Sequence, residues 1–133
     1  MKLMKNFGIA LLFLPIILIG FFLIYEFLGL CANQLAARWQ TERLQANLKR
    51  EIPDIQILDV YTESGNTSGT GNHVDSLSSV TFATELEESE ILDCLSAYYI
   101  GDEWSCFIEK AGESHYILYL NTAAPFPDNL AGH

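Results

Sequence analysis

The chain has 133 residues, half of them hydrophobic, and a formal net charge of −10 at pH 7. Its charge is unevenly distributed, because residues 51–133 contain 15 acidic residues and a single basic one, Lys110. This acidic excess argues against nucleic acid as a partner, since binding it requires clustered Lys and Arg side chains. Roughly 100 residues follow the apolar N-terminal part, which is enough for one hydrophobic core and too few for two.

The segment from Phe7 to Leu30 is the most distinctive part of the sequence. It contains 24 residues, and Glu26 is the only charged one among them. As a helix it would be about 36 Å long, against a hydrocarbon core of about 30 Å. Pro15 is compatible with a membrane helix, and Glu26 lies near the end of the segment, where a carboxylate reaches the interface. The sequence therefore predicts a tilted membrane-spanning helix.

Two alternatives to an uncleaved anchor depend on the residues that follow this segment. A cleavable signal peptide has an apolar region of about 7 to 15 residues that ends in small residues, whereas this segment is longer and ends in Leu30 and Cys31. The sequence Leu28-Gly29-Leu30-Cys31 resembles a lipobox, except that a small residue should precede the cysteine. We expect an uncleaved signal anchor, with cleavage or acylation at Cys31 as open alternatives.

Two patterns conflict over the orientation of this anchor. Two basic residues precede the segment and four follow it within about 20 residues, which by the positive-inside rule favours a cytoplasmic C-terminal domain. The Lys-containing start and the long apolar segment nevertheless resemble an export signal anchor, and the later basic residues belong to a helix that also contains Glu42 and Glu51. We expect a single-pass protein of the cell membrane with an extracytoplasmic C-terminal domain.

Residues 31–52 have the pattern of an amphipathic stalk helix. The stretch 32–50 contains no Gly or Pro. One face carries residues at helical spacing, namely Ala37, Thr41, Leu44 and Leu48. We expect this helix to continue the membrane helix, to pack Leu44 and Leu48 on the domain, and to end before Pro53. Trp39 fits either an interfacial anchor or a core residue.

Residues 53–133 have the pattern of an acidic α+β domain. Strand patterns occur at 55–61, 77–83, 103–109 and 114–120, and the prolines after residue 124 predict that the last strand ends before 121. Thr84-Glu85-Leu86-Glu87 matches a capping box and predicts a helix that extends to Gly101. The order α-β-β-α-β-β predicts a four-stranded antiparallel sheet with helices on one face. It would follow a membrane anchor at 1–30 and the stalk at 31–52.

The region 63–76 is rich in glycine and polar residues, and we expect it to form a long exposed loop. Its candidate interaction residues are Asn66, Asn72, His73 and Asp75. His73, Asp75 and Ser76 have the residue types of a nucleophilic triad, but neighbouring positions on one loop do not supply its geometry. The oxygen ligands also do not follow the spacing of a helix-loop-helix calcium site. We expect neither catalysis nor a metal or other cofactor here.

The three cysteines, Cys31, Cys94 and Cys106, form no C-x-x-C pair and so do not indicate a zinc module. Cys94 and Cys106 would join the helix to a strand if the domain faces an oxidising compartment, and would otherwise be small buried hydrophobic residues. A disulfide between Cys94 and Cys106 is therefore a candidate rather than a requirement of the sequence.

Six aromatic residues in the C-terminal part offer a further candidate surface. These are Tyr98, Tyr99, Trp104, Phe107, Tyr116 and Tyr119. We expect them to fill the core and one sheet edge, and any two or three that share an exposed face would form a partner site. The sequence thus favours a non-enzymatic, membrane-anchored domain that binds another protein. The alternatives are an anchored inhibitor or immunity-type protein that neutralises a basic partner, and with less support a hydrolase.

Overall fold

A computed structural model describes residues 2–69, 71–102 and 105–133, with side chains from residue 11 onward. Its elements, in chain order, are α1 (Lys2–Glu51), β1 (Gln56–Gly65), β2 (Asp75–Ala83), α2 (Glu88–Leu95), β3 (Cys106–Lys110), β4 (His115–Ala123) and a short 3-10 turn (Leu130–Gly132). The predicted order α-β-β-α-β-β and the α+β class are confirmed.

Helix α1 is continuous over 50 residues, with Pro15 inside it. The predicted continuity of the apolar segment with the following helix is therefore confirmed. Its large apolar side chains from Leu11 to Leu28 are exposed, and the helix is long and apolar enough to cross a membrane. In the second half, a single stripe of side chains is buried. Its members are Asn33, Ala37, Thr41, Leu44 and Leu48. The same helix thus has an apolar, exposed half and a half that packs against the domain core.

The four strands form one antiparallel sheet in the order β1-β2-β4-β3. The central pair β2 and β4 is in continuous register from Asp75 opposite Ala123 to Ala83 opposite His115. Strand β1 pairs with β2 and has an irregularity between Ile57 and Asp59. Both helices pack on the same side of the sheet. The hydrophobic core lies between the helices and the sheet. The helices contribute Leu44 and Leu48 of α1, Ile52 directly after it, and Ile91 and Leu95 of α2. The sheet contributes Val80, Phe82, Tyr116 and Leu118.

Strand boundaries differ from those predicted at the end of the sheet where β1 leads into β2. Strand β1 continues to Gly65, β2 already begins at Asp75, and the loop between them is residues 66–74 rather than 63–76. Strand β4 extends to Ala123, so the prediction that it ends before residue 121 was wrong. Polar residues such as Thr62 and Ser64 resemble loop residues in sequence, but here they lie in register opposite Ser78 and Ser76 of β2, which supplies hydrogen-bond partners for the backbone of β1. Strand β3 begins at Cys106, and residues 103 and 104 lie outside the described residues.

Helix α2 is shorter than predicted at both ends. Thr84 is not its cap, because Thr84 is buried and its backbone N–H donates to Ser114 O as an extension of the sheet. The capping box is instead formed by Glu87 and Glu90, with the Glu87 N–H 2.9 Å from a Glu90 carboxylate oxygen. The helix ends at Leu95 rather than Gly101, because the next residues form tight turns. Tyr98 and Tyr99 both donate backbone N–H groups to Leu95 O.

Hydrogen bonds replace apolar packing in the half of the helix–sheet interface that is nearer the apolar end of α1. Gln40 donates to Ser76 O at 2.9 Å and to Leu120 O at 3.1 Å. The Thr41 hydroxyl lies 2.7 Å from the Ser78 hydroxyl and accepts from Thr62. Buried polar networks of this kind fix one register, because any shift leaves donors and acceptors unpaired.

The last ten residues, 124–133, here termed the C-terminal segment, fold back onto α1. The Asn33 side chain accepts from Phe126 N and donates to Phe126 O, each at 2.9 Å. Asn129 donates to Glu26 O at 2.8 Å, and Leu130 N donates to the Glu26 carboxylate at 2.9 Å. Gly29 leaves room for this contact, because a Cβ there would lie 2.8 Å from Asn129 Nδ2 and would displace the Asn129 side chain. The domain is thereby attached to α1 as far up as Glu26.

The buried stripe of α1 leads to a stability prediction. Leu44→Ala is expected to lower the free energy of unfolding by about 2–5 kcal/mol, because Leu44 is fully buried and truncation leaves a cavity. Leu35→Ala on the exposed side of the same helix is expected to change it by less than about 0.5 kcal/mol. Urea unfolding of the detergent-solubilised chain, followed by near-ultraviolet circular dichroism, measures both. Equal losses would contradict the assignment of the buried face.

Candidate functional site

The side of the sheet away from the helices is an uncovered surface. Along β2, Ser78, Val80 and Phe82 are buried under the helices, whereas Leu77, Ser79 and Thr81 on the other side are half-buried. The register places further residues of the other strands on that second side, which we term the open face. They are Asp59, Tyr61 and Glu63 of β1, Phe107 and Glu109 of β3, and Ile117, Tyr119 and Asn121 of β4.

Two aromatic rings stack on the open face. Phe107 and Tyr119 lie on the paired strands β3 and β4, with ring centroids 4.8 Å apart and an interplanar angle of 20°. Burial, and secondly the nearby Glu109 carboxylate, raise the pKa of the Tyr119 hydroxyl. The predicted aromatic set is therefore divided. Tyr116 is in the core, and Tyr99 packs against it. Phe107 and Tyr119 share the open face, Tyr98 is exposed elsewhere, and Trp104 lies outside the described residues.

Carboxylates also lie on the open face. Glu109 of β3 is beside Tyr119, whereas Asp59 and Glu63 lie on β1, two strands away from Tyr119, and Asp75 begins β2. The Tyr61 hydroxyl donates to Glu63 at 2.8 Å, and this contact raises the pKa of Tyr61. None of the described open-face positions named above is Lys or Arg. A sheet face that carries stacked aromatic rings and several carboxylates suits a ligand that carries positive charge.

The predicted interaction loop lies at one end of the open face. His73 Nε2 is 3.1 Å from Asp75 Oδ1, and the second Asp75 oxygen accepts from Ser68 N at 3.3 Å. Asn66 organises the loop, since its amide donates to Gly71 O and its carbonyl accepts from Gly69 N. Asn72 is exposed. Of the four predicted residues, His73 and Asp75 meet directly, while Asn66 has a structural role in the loop.

The loop and the open face together enclose a groove of about 660 Å³. Besides His73 and Asp75, it is lined by Thr67, Ser68, Leu77, Ser105, Phe107, Tyr119 and Asn121. Thr67 donates to the Asn121 side chain at 3.1 Å, which joins the loop to β4. Thr67, Ser105 and Asn121 were not among the site residues predicted from the sequence. Extending the alternation of β4 beyond Leu120 would have placed Asn121 on the same side as Tyr119.

The structure separates the three residues that had the types of a nucleophilic triad. Asp75 and Ser76 are consecutive residues of β2 and therefore point to opposite sides of the sheet. The Ser76 hydroxyl is buried on the helix side, without a hydrogen-bond partner in the described part of the chain. His73 thus pairs with Asp75 but not with Ser76. Across residues 2–69, 71–102 and 105–133, no group of three or more His, Cys, Asp or Glu side chains could hold a metal ion.

A second aromatic surface lies beside α1. Trp39 is exposed, which excludes the core alternative, and with Tyr98, Tyr99 and Arg43 it borders a cavity of about 460 Å³. The guanidinium of Arg50 lies 4.9 Å from the centre of the Tyr98 ring. This surface contains cations, so it differs in charge from the open face.

All three cysteines are free thiols in the structure. Cys106 of β3 is buried in the core, and Cys94 of α2 packs against the same core cluster from the helix side. Burial, with a smaller effect of Asp102, raises the pKa of the Cys106 thiol from 9.0 to about 11. The disulfide between Cys94 and Cys106 is not formed here and stays a prediction for an oxidising compartment.

The chain matches no protein family, no characterised relative and no solved structure. Its function therefore has to be inferred from its own residues and their arrangement.

The raised pKa of Cys106 predicts a pH dependence of stability. Because the folded value exceeds the unfolded value, the contribution of Cys106 is fully present below pH 9 and is lost as the pH rises towards about 11. The difference in free energy of unfolding between the reduced wild type and Cys106→Ala should therefore shrink above pH 9. The tyrosines other than Tyr99, whose pKa Cys106 itself helps to raise, titrate alike in both proteins and cancel. A difference that stays constant between pH 7 and pH 10.5 would show that Cys106 titrates normally.

Proposed function

We propose that the chain is a single-pass, membrane-anchored protein whose non-enzymatic extracytoplasmic domain binds another protein through the open face of its sheet. The observation that carries this proposal is the stacked pair Phe107 and Tyr119, which lies beside Glu109 on the side of the sheet away from the helices, a side that also carries Asp59 and Glu63. A mixed apolar and acidic face beside a groove supplies both contact area and charge for recognition.

The chemistry of the open face favours a basic partner segment. Asp59, Glu63 and Glu109 are exposed and can pair with Lys or Arg, while the stacked rings can contact a guanidinium or an aliphatic stem. The groove bordered by His73 and Asp75 would accept the end of such a segment. An enzymatic role has less support, because Ser76 lies on the other side of the sheet from Asp75.

An anchored inhibitor that neutralises a basic protein would use the same surface. The excess of 15 acidic residues over one basic residue in positions 51–133 favours this second function. The two functions differ in consequence rather than in contact, because inhibition additionally requires the partner to lose its activity in the complex. Binding that is insensitive to added salt would argue against both, since exposed charge pairs are screened.

Crosslinking from the native membrane tests the open face. A photoreactive amino acid at Ser79, in the middle of that face, is expected to give a discrete protein adduct. The same amino acid at Ala46, exposed on the outer side of α1, should not give it. The double variant Glu63→Gln, Glu109→Gln should weaken the Ser79 adduct, because it removes two charges and retains the side-chain shapes. The same adduct from both positions, or no effect of the double variant, would contradict the proposed interface.

Labelling of an introduced cysteine tests the orientation. Ser89 is exposed on α2, so Ser89→Cys should react with a membrane-impermeant maleimide, whereas the buried Cys106 is a poor reporter. If the domain is extracytoplasmic, labelling above that of the unmodified chain is expected in intact cells. Labelling that requires permeabilisation would place the domain in the cytoplasm, as the four basic residues after the apolar segment would favour.

A further inference from the structure

The end of the domain nearest the apolar half of α1 is built from two segments, the loop 66–74 and the C-terminal segment 124–133. The register shows this, because Gly65, Asp75 and Ala123 lie opposite one another at the end of the three strands β1, β2 and β4. The C-terminal segment contacts α1 at Glu26, Gly29 and Asn33. Gly132 lies directly on the backbone of His73 and accepts from Asn66, so the two segments form one surface.

This surface lies at the same level along α1 as the last exposed apolar residues of the helix. Asn129 binds Glu26 O, while Phe27 and Leu28 in the next positions are exposed. The apolar run 7–30 is about 36 Å long as a helix, whereas the hydrocarbon core is about 30 Å thick. When the helix lies close to the membrane normal with residue 7 at the far boundary of the core, its last turn, residues 27–30, therefore extends into the headgroup region.

The chemistry of this end suits a lipid interface. Tyr25 packs edge-on against Phe126, with ring centroids 5.8 Å apart, which is the kind of aromatic contact found at the interface. Leu130 is the first residue of the 3-10 turn, and 55% of its surface is exposed. The backbone N–H groups of Leu130 and Ala131 are hydrogen-bonded, so the turn presents an apolar side chain to its surroundings. The Glu26 carboxylate, otherwise costly near hydrocarbon, accepts the Leu130 N–H.

The distribution of charge along the domain also favours this end as the one that faces the membrane. Loop 66–74 contains no acidic residue, and the C-terminal segment contains one, Asp128. Asp75, at the start of β2, is buried and pairs with His73. Most of the remaining carboxylates lie towards the opposite end, in residues 85–93 and in the β3–β4 hairpin. An anionic membrane surface would repel the acidic end and tolerate the nearly neutral one.

We propose that the C-terminal segment, supported by loop 66–74, is a lipid-contact surface that seats the domain on the bilayer, with Leu130 in the headgroup–acyl boundary. This inference rests on the membrane anchoring proposed above. The groove of His73 and Asp75 then opens close to the bilayer, so a partner reaches it along the membrane surface.

Photocrosslinking to lipid tests the proposal in the full-length chain in native membranes. A benzophenone amino acid replaces Leu130, and in a matched control it replaces Leu58, an exposed leucine at the irregularity of β1. Leu58 lies close to Phe82, which is seven residues along β2 from Asp75, or about 23 Å from the proposed contact. Adducts that contain phospholipid are expected at position 130 and are expected to be missing at 58. If replacement of Leu130 prevents folding, the neighbouring exposed Ala131 takes the probe.

Carbonate extraction in the same samples separates this proposal from membrane anchoring. A chain that resists extraction but yields no lipid adduct at position 130, or yields only a protein adduct there, overturns the lipid contact while the anchor stands. A chain released by carbonate overturns the anchor and the lipid contact together. Equal lipid adducts at positions 130 and 58 also overturn the proposal, because they would show no preferred orientation of the domain.

Discussion

The structure depends on one helix having two different surroundings. From Leu11 to Leu28 the apolar side chains of α1 are exposed, whereas farther along the helix a single stripe from Asn33 to Leu48 is buried against the sheet. Because the backbone is one continuous helix, the orientation of the apolar half fixes that of the stripe. The sheet, α2 and the C-terminal segment all pack relative to that stripe, so the domain has no flexible linker at its attachment to the apolar half.

The interface along that stripe changes character with distance from the apolar half. Close to it, Gln40 and Thr41 hold the sheet through hydrogen bonds, and farther away Leu44, Leu48 and Ile52 hold it through apolar packing. Apolar burial supplies most of the stabilisation, since it scales with the area removed from water. The polar layer adds specificity, because its geometry is satisfied in one register only. The position of the groove relative to α1 is thereby fixed.

The two sides of the sheet have correspondingly different roles. One side packs against the helices, and the other carries the Phe107–Tyr119 stack, several carboxylates and the groove. An antiparallel sheet with one covered face leaves the second face available for recognition without a cost to the core. The binding function and the lipid contact that we propose use adjoining surfaces, the open face and the end of the domain formed by residues 66–74 and 124–133. A partner bound to one would therefore lie close to the membrane.

The sequence alone determined the long apolar helix, its continuation as an amphipathic helix, the buried positions Leu44 and Leu48, and the α+β order, because each of these follows from periodicity or length. It also identified His73 and Asp75 as candidate interaction residues, and the structure brings their side chains together. Only the tertiary structure decided that Ser76 faces away from Asp75, that Thr84 extends the sheet instead of capping α2, and that β1 and β4 continue through polar residues. The C-terminal segment was likewise beyond prediction, since Asn33 and Phe126 are 93 positions apart. The physical reason is common to these cases: a polar residue takes its conformation from the partner that satisfies its hydrogen bonds, and that partner is distant in sequence.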